Sequence, residues 1–208
     1  MSAGMHGARV VIVDSGGANL ASVQYALARL GCDARVTTEA LEIAAASHVI
    51  LPGVGAAVHA MARLQALGLT GAIRDLKAPV LGICLGMQLL FESSAEGDVS
   101  CLGLLPGRAE RLVAPGLSVP HMGWNTCEML RPSPLFEGLS ARDHFYFVHS
   151  FAAPMGDATL ASAVHGQVFS AAIQVRNLHG VQFHPERSGE AGARVLANFL
   201  SLGPESRS

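Results

Sequence analysis

Residues 9–91 alternate short apolar runs with segments whose apolar positions recur at helical spacing. Residues 9–14 carry four consecutive apolar positions, which reads as a strand buried on both faces. Over residues 19–30, Leu20, Val23, Leu27 and Leu30 mark one helical face and Gly31 supplies a stop. Further strands are expected at 34–38, 48–51 and 80–83, with a short helix at 39–46 and a longer one at 56–76 interrupted by Gly68 and Gly71. Residues 87–91 continue in a helix-like pattern. Apolar strands alternating with helices predict an α/β fold, a central and mostly parallel sheet flanked by helices.

Between residues 99 and 182 the pattern changes. Strand-like pieces dominate, at 109–113, 126–130, 144–149, 160–164 and 171–175, and Gly or Pro lies between most of them. This half is expected to be rich in antiparallel strands. A last strand, 181–184, precedes a closing amphipathic helix at 190–202. No internal repeat or low-complexity linker divides the chain, so residues 1–208 are expected to form one domain.

Composition narrows the class. Half the residues are hydrophobic, enough for a sizeable core, and only the tail from Gly203 to Ser208 has a disordered composition. Apolar stretches are broken well before the roughly 18 residues of a membrane span. Residues 1–9 lack the build of a signal peptide, and the expected location is cytoplasmic. The four cysteines form no C-x-x-C pair, so free thiols in a reducing compartment are expected. The net charge is −2 and the arginines are scattered, which argues against nucleic acid as a partner. No H-E-x-x-H or short His-x-His pattern occurs among the nine histidines, so no metal is expected. His6, His48, His59, His165 and His179 read as surface or half-buried side chains.

The chemistry concentrates at Gly82-Ile83-Cys84-Leu85-Gly86, a G-x-C-x-G between a strand and a helix-like stretch. Such a junction is the thiol counterpart of the nucleophile elbow. The sharp reversal strains the backbone at the nucleophile, and flanking glycines relieve the crowding because they have no Cβ. A sulfur there sits at a helix N-terminus, where free N–H groups favour thiolate. A buried structural cysteine is the alternative for the pentapeptide alone. Far along the chain, Phe183-His184-Pro185-Glu186 places a His and a Glu two residues apart, on the same side of an extended segment. Cys84, His184 and Glu186 supply a nucleophile, a base and an orienting acid. Pro52-Gly53-Val54-Gly55 follows another strand and is a candidate oxyanion loop beside the N–H of Leu85, although by itself it reads as an ordinary connection. The loop from Asp14 to Asn19 has no nucleotide-binding signature, and no cofactor is expected.

Together these residues resemble the class I, triad-type glutamine amidotransferase domain, with its flavodoxin-like three-layer fold. The stretches from Asp14 to Val23, Pro120-His121-Met122-Gly123-Trp124-Asn125, Tyr146-Phe147-Val148-His149-Ser150 and Gln182 to Ser188 narrow the likeness. They look like the glutaminase subunits of imidazole glycerol phosphate synthases, over nearly the whole chain. The resemblance implies attack by Cys84 on the side-chain amide of glutamine, with His184 as base and Glu186 holding it. It implies an oxyanion hole at Gly53, Val54, Gly55 and Leu85, and substrate contacts at Gln88, Glu96 and the backbone of His149, Ser150 and Phe151. It also implies a separate cyclase subunit, a (β/α)₈ barrel, as a heterodimer partner in histidine biosynthesis. Trp124, the only tryptophan, would dock that partner together with Asn125, Tyr146 and Arg187. Ser15 and Ala18 stand where the family usually has an aromatic and a glycine. Position 187, here Arg, is often Lys. Another triad amidotransferase and a non-catalytic docking module remain as alternatives; the Gly-Trp-Asn and Tyr-Phe-Val-His stretches speak against the first, and the intact triad against the second.

Overall fold

The computed structural model describes residues 9–17 and 19–203. Ala18, the tail beyond Gly203 and residues 1–8, with His6 and most of the stretch compared with a signal peptide, lie outside them. The chain begins with β1 (Val10–Val13), α1 (Leu20–Arg29), β2 (Arg35–Thr37), α2 (Ala40–Ala44) and β3 (His48–Gly53). There follow α3 (Ala57–Ala66), α4 (Leu69–Arg74), β4 (Val80–Cys84) and α5 (Leu85–Gln88). Strands then prevail: β5 (Phe91–Ser94), β6 (Val99–Ser100), β7 (Leu105–Arg111), β8 (His121–Thr126), β9 (Glu128–Met129), β10 (His144–His149) and β11 (Phe151–Ala152). The chain closes with β12 (Thr159–His165), β13 (Gln167–Val175), β14 (Leu178–Val181) and α6 (Gly189–Leu200).

Eight strands make the central sheet in the order β2-β1-β3-β4-β14-β13-β12-β9. The five from β2 to β14 run parallel, and β13, β12 and β9 continue it antiparallel. The continuous apolar run of β1 serves two cores at once. Val10 and Ile12 pack on one face with Val23, Leu27, Val195 and Phe199 of α1 and α6. Val11 and Val13 pack on the other with Ile43, Met61, Leu64 and Ile73 of α2, α3 and α4. Side chains alternating across the strand produce this three-layer arrangement. Each such side chain, once buried, is worth about 1.5–3 kcal/mol. The antiparallel pair β8–β10 covers the first core with Phe145 and Phe147.

Several sequence expectations shift. The long helix breaks at Gly68, whose φ of 66° needs a residue without Cβ, whereas Gly71 lies inside α4. The helix after the elbow is one turn, and Phe91 already belongs to β5. There the carbonyls of Leu89, Leu90 and Phe91 accept from the backbone N–H groups of Leu102, Leu104 and Gly103 at 2.8–2.9 Å. These tertiary donors replace the intrahelical ones and release the chain into a strand. The expected strand at 126–130 is two strands, the end of β8 and then β9, in different sheets. The expected strand at 181–184 begins earlier and ends at Val181, because Pro185 opens a 3₁₀ turn, Pro185–Arg187. His48 and His179 are buried, not at the surface: a ring nitrogen of His48 meets the Leu202 carbonyl at 2.9 Å, and both rings pack edge-on against Phe199.

β3 and β4 pair in parallel as far as Gly53 opposite Cys84, and the elbow closes against them with no space to spare. A Cβ on Gly86 would lie 1.7 Å from the Leu51 carbonyl oxygen, and one on Gly82 would lie 2.7 Å from the Gly86 oxygen. Gly86→Ala is therefore expected to lower unfolding free energy by about 2 kcal/mol or more through overpacking against backbone. A urea midpoint equal to that of the unmodified chain would contradict this.

Candidate active site

Cys84 closes β4 with φ 53° and ψ −111°, a conformation that costs an L-residue about 1–3 kcal/mol and is stored at functional turns. With α5 only one turn long, the helix contributes its few free N–H groups and no extended dipole. The thiol is nearly buried. Gln182 donates its side-chain N–H to Sγ at 3.5 Å, and Sγ approaches the Val148 carbonyl at 3.8 Å.

His184 and Glu186 meet as expected, by way of the 3₁₀ turn and not along a strand. Nδ1 of His184 and Oε1 of Glu186 are 2.7 Å apart, with both side chains essentially inaccessible. A carboxylate can only accept here, so Nδ1 carries the proton. Nε2 is buried and has no partner among the described residues other than the Cys84 thiol. Burial alone would push the imidazole down, but hydrogen bonding to Cys84 and Glu186 and the charge of both raise His184 to about 10. The site therefore stabilises imidazolium, the form a histidine base takes after accepting a proton.

Two supports of the triad were not read from sequence. Asn19 donates its side-chain N–H to Glu186 Oε1 at 2.6 Å from a left-handed backbone, φ 83°, that Asn tolerates better than most residues. The Ser188 hydroxyl donates to the His184 carbonyl at 2.7 Å and accepts from the Tyr146 N–H at 2.9 Å, tying the turn to β10. The His184 N–H donates to the Tyr146 carbonyl at 2.9 Å. Asn at a helix start was the one visible signal for the first. Gln182 could have been found too, since it lies two residues before His184.

A pocket of about 290 Å³ opens beside the sulfur, lined by Val54, Gly55, Cys84, Leu85, Gln88, Glu96, Val148, His149, Ser150, Phe151 and His184. It brings together every residue expected to contact substrate, and Val54, Gly55 and Leu85 of the expected oxyanion hole. Gly53 lies behind the wall, where a Cβ would come within 2.8 Å of the Gly86 nitrogen. Ser15 donates its hydroxyl to the Pro52 carbonyl at 3.1 Å, anchoring the loop from below. Glu96 accepts from the Ala57 N–H at 2.9 Å, which holds a carboxylate at the pocket. Gln88 donates to the Phe151 carbonyl at 2.7 Å and to Gln182 Oε1 at 2.9 Å.

Outside the pocket, Trp124 is 56% exposed and meets Tyr146 edge to face at 5.9 Å, while the Arg187 guanidinium lies 4.4 Å from the Tyr146 ring centre. Exposed Met122 shares this face of the β8–β10 ribbon. Asn125 lies one residue from Trp124 and points to the opposite face, where its side-chain N–H groups reach the Val164 carbonyl at 2.9 Å and His121 at 3.4 Å. The structure thus groups Trp124, Tyr146 and Arg187, and sets Asn125 apart from them.

A strained cysteine, a His–Glu pair and a small pocket with backbone-lined walls describe an acyl-transfer site. The chain belongs to the class-I glutamine amidotransferase family, whose model matches residues 11–202. Among curated proteins it is 55% identical to the imidazole glycerol phosphate synthase subunit HisH of Xanthomonas axonopodis pv. citri (strain 306), over 93% of this chain and 97% of that protein. The subunit of the same name from Xylella fastidiosa (strain Temecula1 / ATCC 700964) is 54% identical over the same shares. Among solved structures, a glutamine amidotransferase aligns with TM-score 0.72 at 21% identity, covering 91% of this chain and 96% of that one. A glutamine amidotransferase from Thermotoga maritima aligns with TM-score 0.65 at 18% identity, covering 93% and 83%. These structural likenesses establish the fold.

The electrostatic coupling yields a pH prediction. A raised imidazole keeps its proton to higher pH, so His184 is expected to remain imidazolium above pH 8 in histidine NMR. Glu186→Gln removes one of the charges that hold it up, so titration should move to lower pH and turnover should fall by about 10²- to 10⁴-fold. An unchanged titration would contradict the assigned role of Glu186.

Proposed function

We propose that this chain is the glutaminase subunit of an imidazole glycerol phosphate synthase, hydrolysing glutamine to glutamate and ammonia for a separate cyclase subunit in histidine biosynthesis. The observation that carries it is Cys84 in an elbow beside the His184–Glu186 pair, in a chain 55% identical over nearly its full length to a subunit of that enzyme. Cys84 Sγ bonds to the side-chain carbonyl carbon of glutamine, and His184 holds the thiol proton. The tetrahedral oxygen draws on backbone N–H groups at Leu85 and the Val54–Gly55 loop. As that intermediate collapses, the C–N bond breaks and His184 gives its proton to the departing nitrogen, releasing ammonia. Water then attacks the thioester while His184 takes its proton; the C–S bond breaks, and the proton returns to sulfur as glutamate leaves. Glu186 orients the ring.

The pocket's chemistry matches glutamine. Glu96 offers a carboxylate to the α-ammonium group, and Gln88, His149, Ser150 and Phe151 supply the remaining polar wall. The cyclase, a (β/α)₈ barrel, docks on the face bearing Met122, Trp124, Tyr146 and Arg187 to form a heterodimer, with Asn125 lending support from beneath. Exposed Trp124 and Arg187 about the half-buried ring of Tyr146 have the composition of an interface hot spot. Cytoplasmic residence is supported by four buried, free cysteines.

Cys84→Ala in the complex with the cyclase is expected to abolish glutamine-dependent synthesis by more than about 10³-fold while sparing complex formation and ammonia-dependent synthesis. Loss of ammonia-dependent turnover as well would contradict the division of labour.

A further inference from the structure

Beneath the exposed face of β8, the inward residues His121 and Asn125 start a chain of hydrogen bonds that ends at the nucleophile. His121 and His149 are both buried, and Nδ1 of His121 lies 3.1 Å from Nε2 of His149. His121 is held flat between Phe147 at 4.8 Å and His165 at 4.2 Å, in near-parallel stacks. Phe169 packs edge-on against His149 at 4.9 Å.

The hydrogen-bond partners fix which nitrogens carry protons. His149 Nδ1 faces the Phe151 carbonyl at 2.9 Å, and a carbonyl can only accept, so Nδ1 carries hydrogen. In a neutral ring Nε2 is then an acceptor, and His121 must donate to it from Nδ1. His121 Nε2 is left as an acceptor and faces the Asn125 amide nitrogen at 3.4 Å. That amide orientation is set independently: the nitrogen donates to the Val164 carbonyl at 2.9 Å, and the oxygen accepts from the Thr126 N–H at 2.9 Å. Working inward from either end gives the same tautomers. Among the described residues, the titratable groups facing the two rings are His165 and His184, both potential cations, and no carboxylate there favours a charged form. Burial chiefly pushes both rings down, His121 to about 4 and His149 to about 3, which keeps them neutral.

At Phe151 the chain meets a second one. The same carbonyl accepts from Gln88, which also donates to Gln182, which donates to Cys84 Sγ at 3.5 Å. Donors converge on the Phe151 oxygen from both sides. A carbonyl cannot pass a proton onward, so the arrangement is no proton relay. It does orient: with His149 and Gln88 both donating to one oxygen, the directions of Gln88, Gln182 and the donor at the sulfur are determined together.

We propose that His121 is a positioning residue for glutamine hydrolysis, donating to His149 so that the Phe151 carbonyl and, through it, Gln88 are held in place at the glutamine pocket. The kinetic part of this proposal rests on the glutaminase reading above; the tautomers do not.

The test uses the complex with the cyclase, and two substitutions. His121→Phe keeps a stacking ring and removes the donor. His121→Asn keeps a side-chain N–H near the position of Nδ1. His121→Phe is expected to raise KM for glutamine about 10-fold, the usual effect of one lost buried hydrogen bond, with kcat changed less than KM. His121→Asn should bring KM back to within about 3-fold of the unmodified complex, since only the donor is restored. Nitrogen NMR of the unmodified chain should show both rings as the neutral Nδ1–H tautomer at pH 7. An unchanged KM in His121→Phe, an equal defect in both variants, or an Nε2–H or charged form of either ring would overturn the proposal. An unmodified complex with no glutaminase activity would instead refute the functional reading, leaving the tautomers to be judged by NMR alone.

Discussion

The Leu51 carbonyl oxygen occupies the place a Cβ on Gly86 would need, and the geometry of the site descends from that approach. Because β3 and β4 come so close at their carboxyl ends, the chain leaving β4 must turn at once, and Cys84 takes the positive-φ conformation of the elbow. The same closeness sets the Val54–Gly55 loop beside the sulfur. The placement of Cys84 and of the Val54–Gly55 loop thus comes from one packing constraint, relieved by three glycines, Gly53, Gly82 and Gly86, at which a side chain would strike backbone.

The other half of the site is a problem of buried charge. A carboxylate as inaccessible as that of Glu186 would cost several kcal/mol if left unpaired. Asn19 and His184 both donate to Oε1, which offsets much of that cost and gives the ring its direction. Ser188 and the backbone of Tyr146 fasten this turn to β10, the strand whose outward face carries the ring of Tyr146 against Trp124. The strand that proposed docking would engage through Tyr146 is thus bonded directly to the turn that carries His184 and Glu186. Force on that face has a short, hydrogen-bonded path to His184.

Much of this was legible in sequence because single residues have few roles. Glycines flanking a cysteine after an apolar run fit an elbow, and in His-Pro-Glu the proline biases His184 toward the extended backbone that lets residues two apart meet. The parallel half of the sheet followed from uninterrupted apolar runs. What sequence could not convey depended on tertiary partners. Residues 87–91 have a helical pattern, yet donors from Leu102, Gly103 and Leu104 end the helix after Gln88 and lead the chain into a strand at Phe91. Asn125 reads as a neighbour of Trp124, but alternation along β8 turns it to the opposite side. His121 and His149 gain their roles only because β8 and β10 pair in the register that sets them opposite each other. Periodicity within one segment carries no trace of that register.

The central claim is a glutaminase whose product serves a cyclase partner. It is tested most directly by glutamate release from glutamine, measured for the chain alone and with a histidine-pathway cyclase in the presence of its ribonucleotide ligand. Low activity alone and strong stimulation by the partner and ligand together are the predicted result. No stimulation, in a folded chain whose Cys84 still reacts with a glutamine-like electrophile, would contradict it and assign the same chemistry to a different synthase.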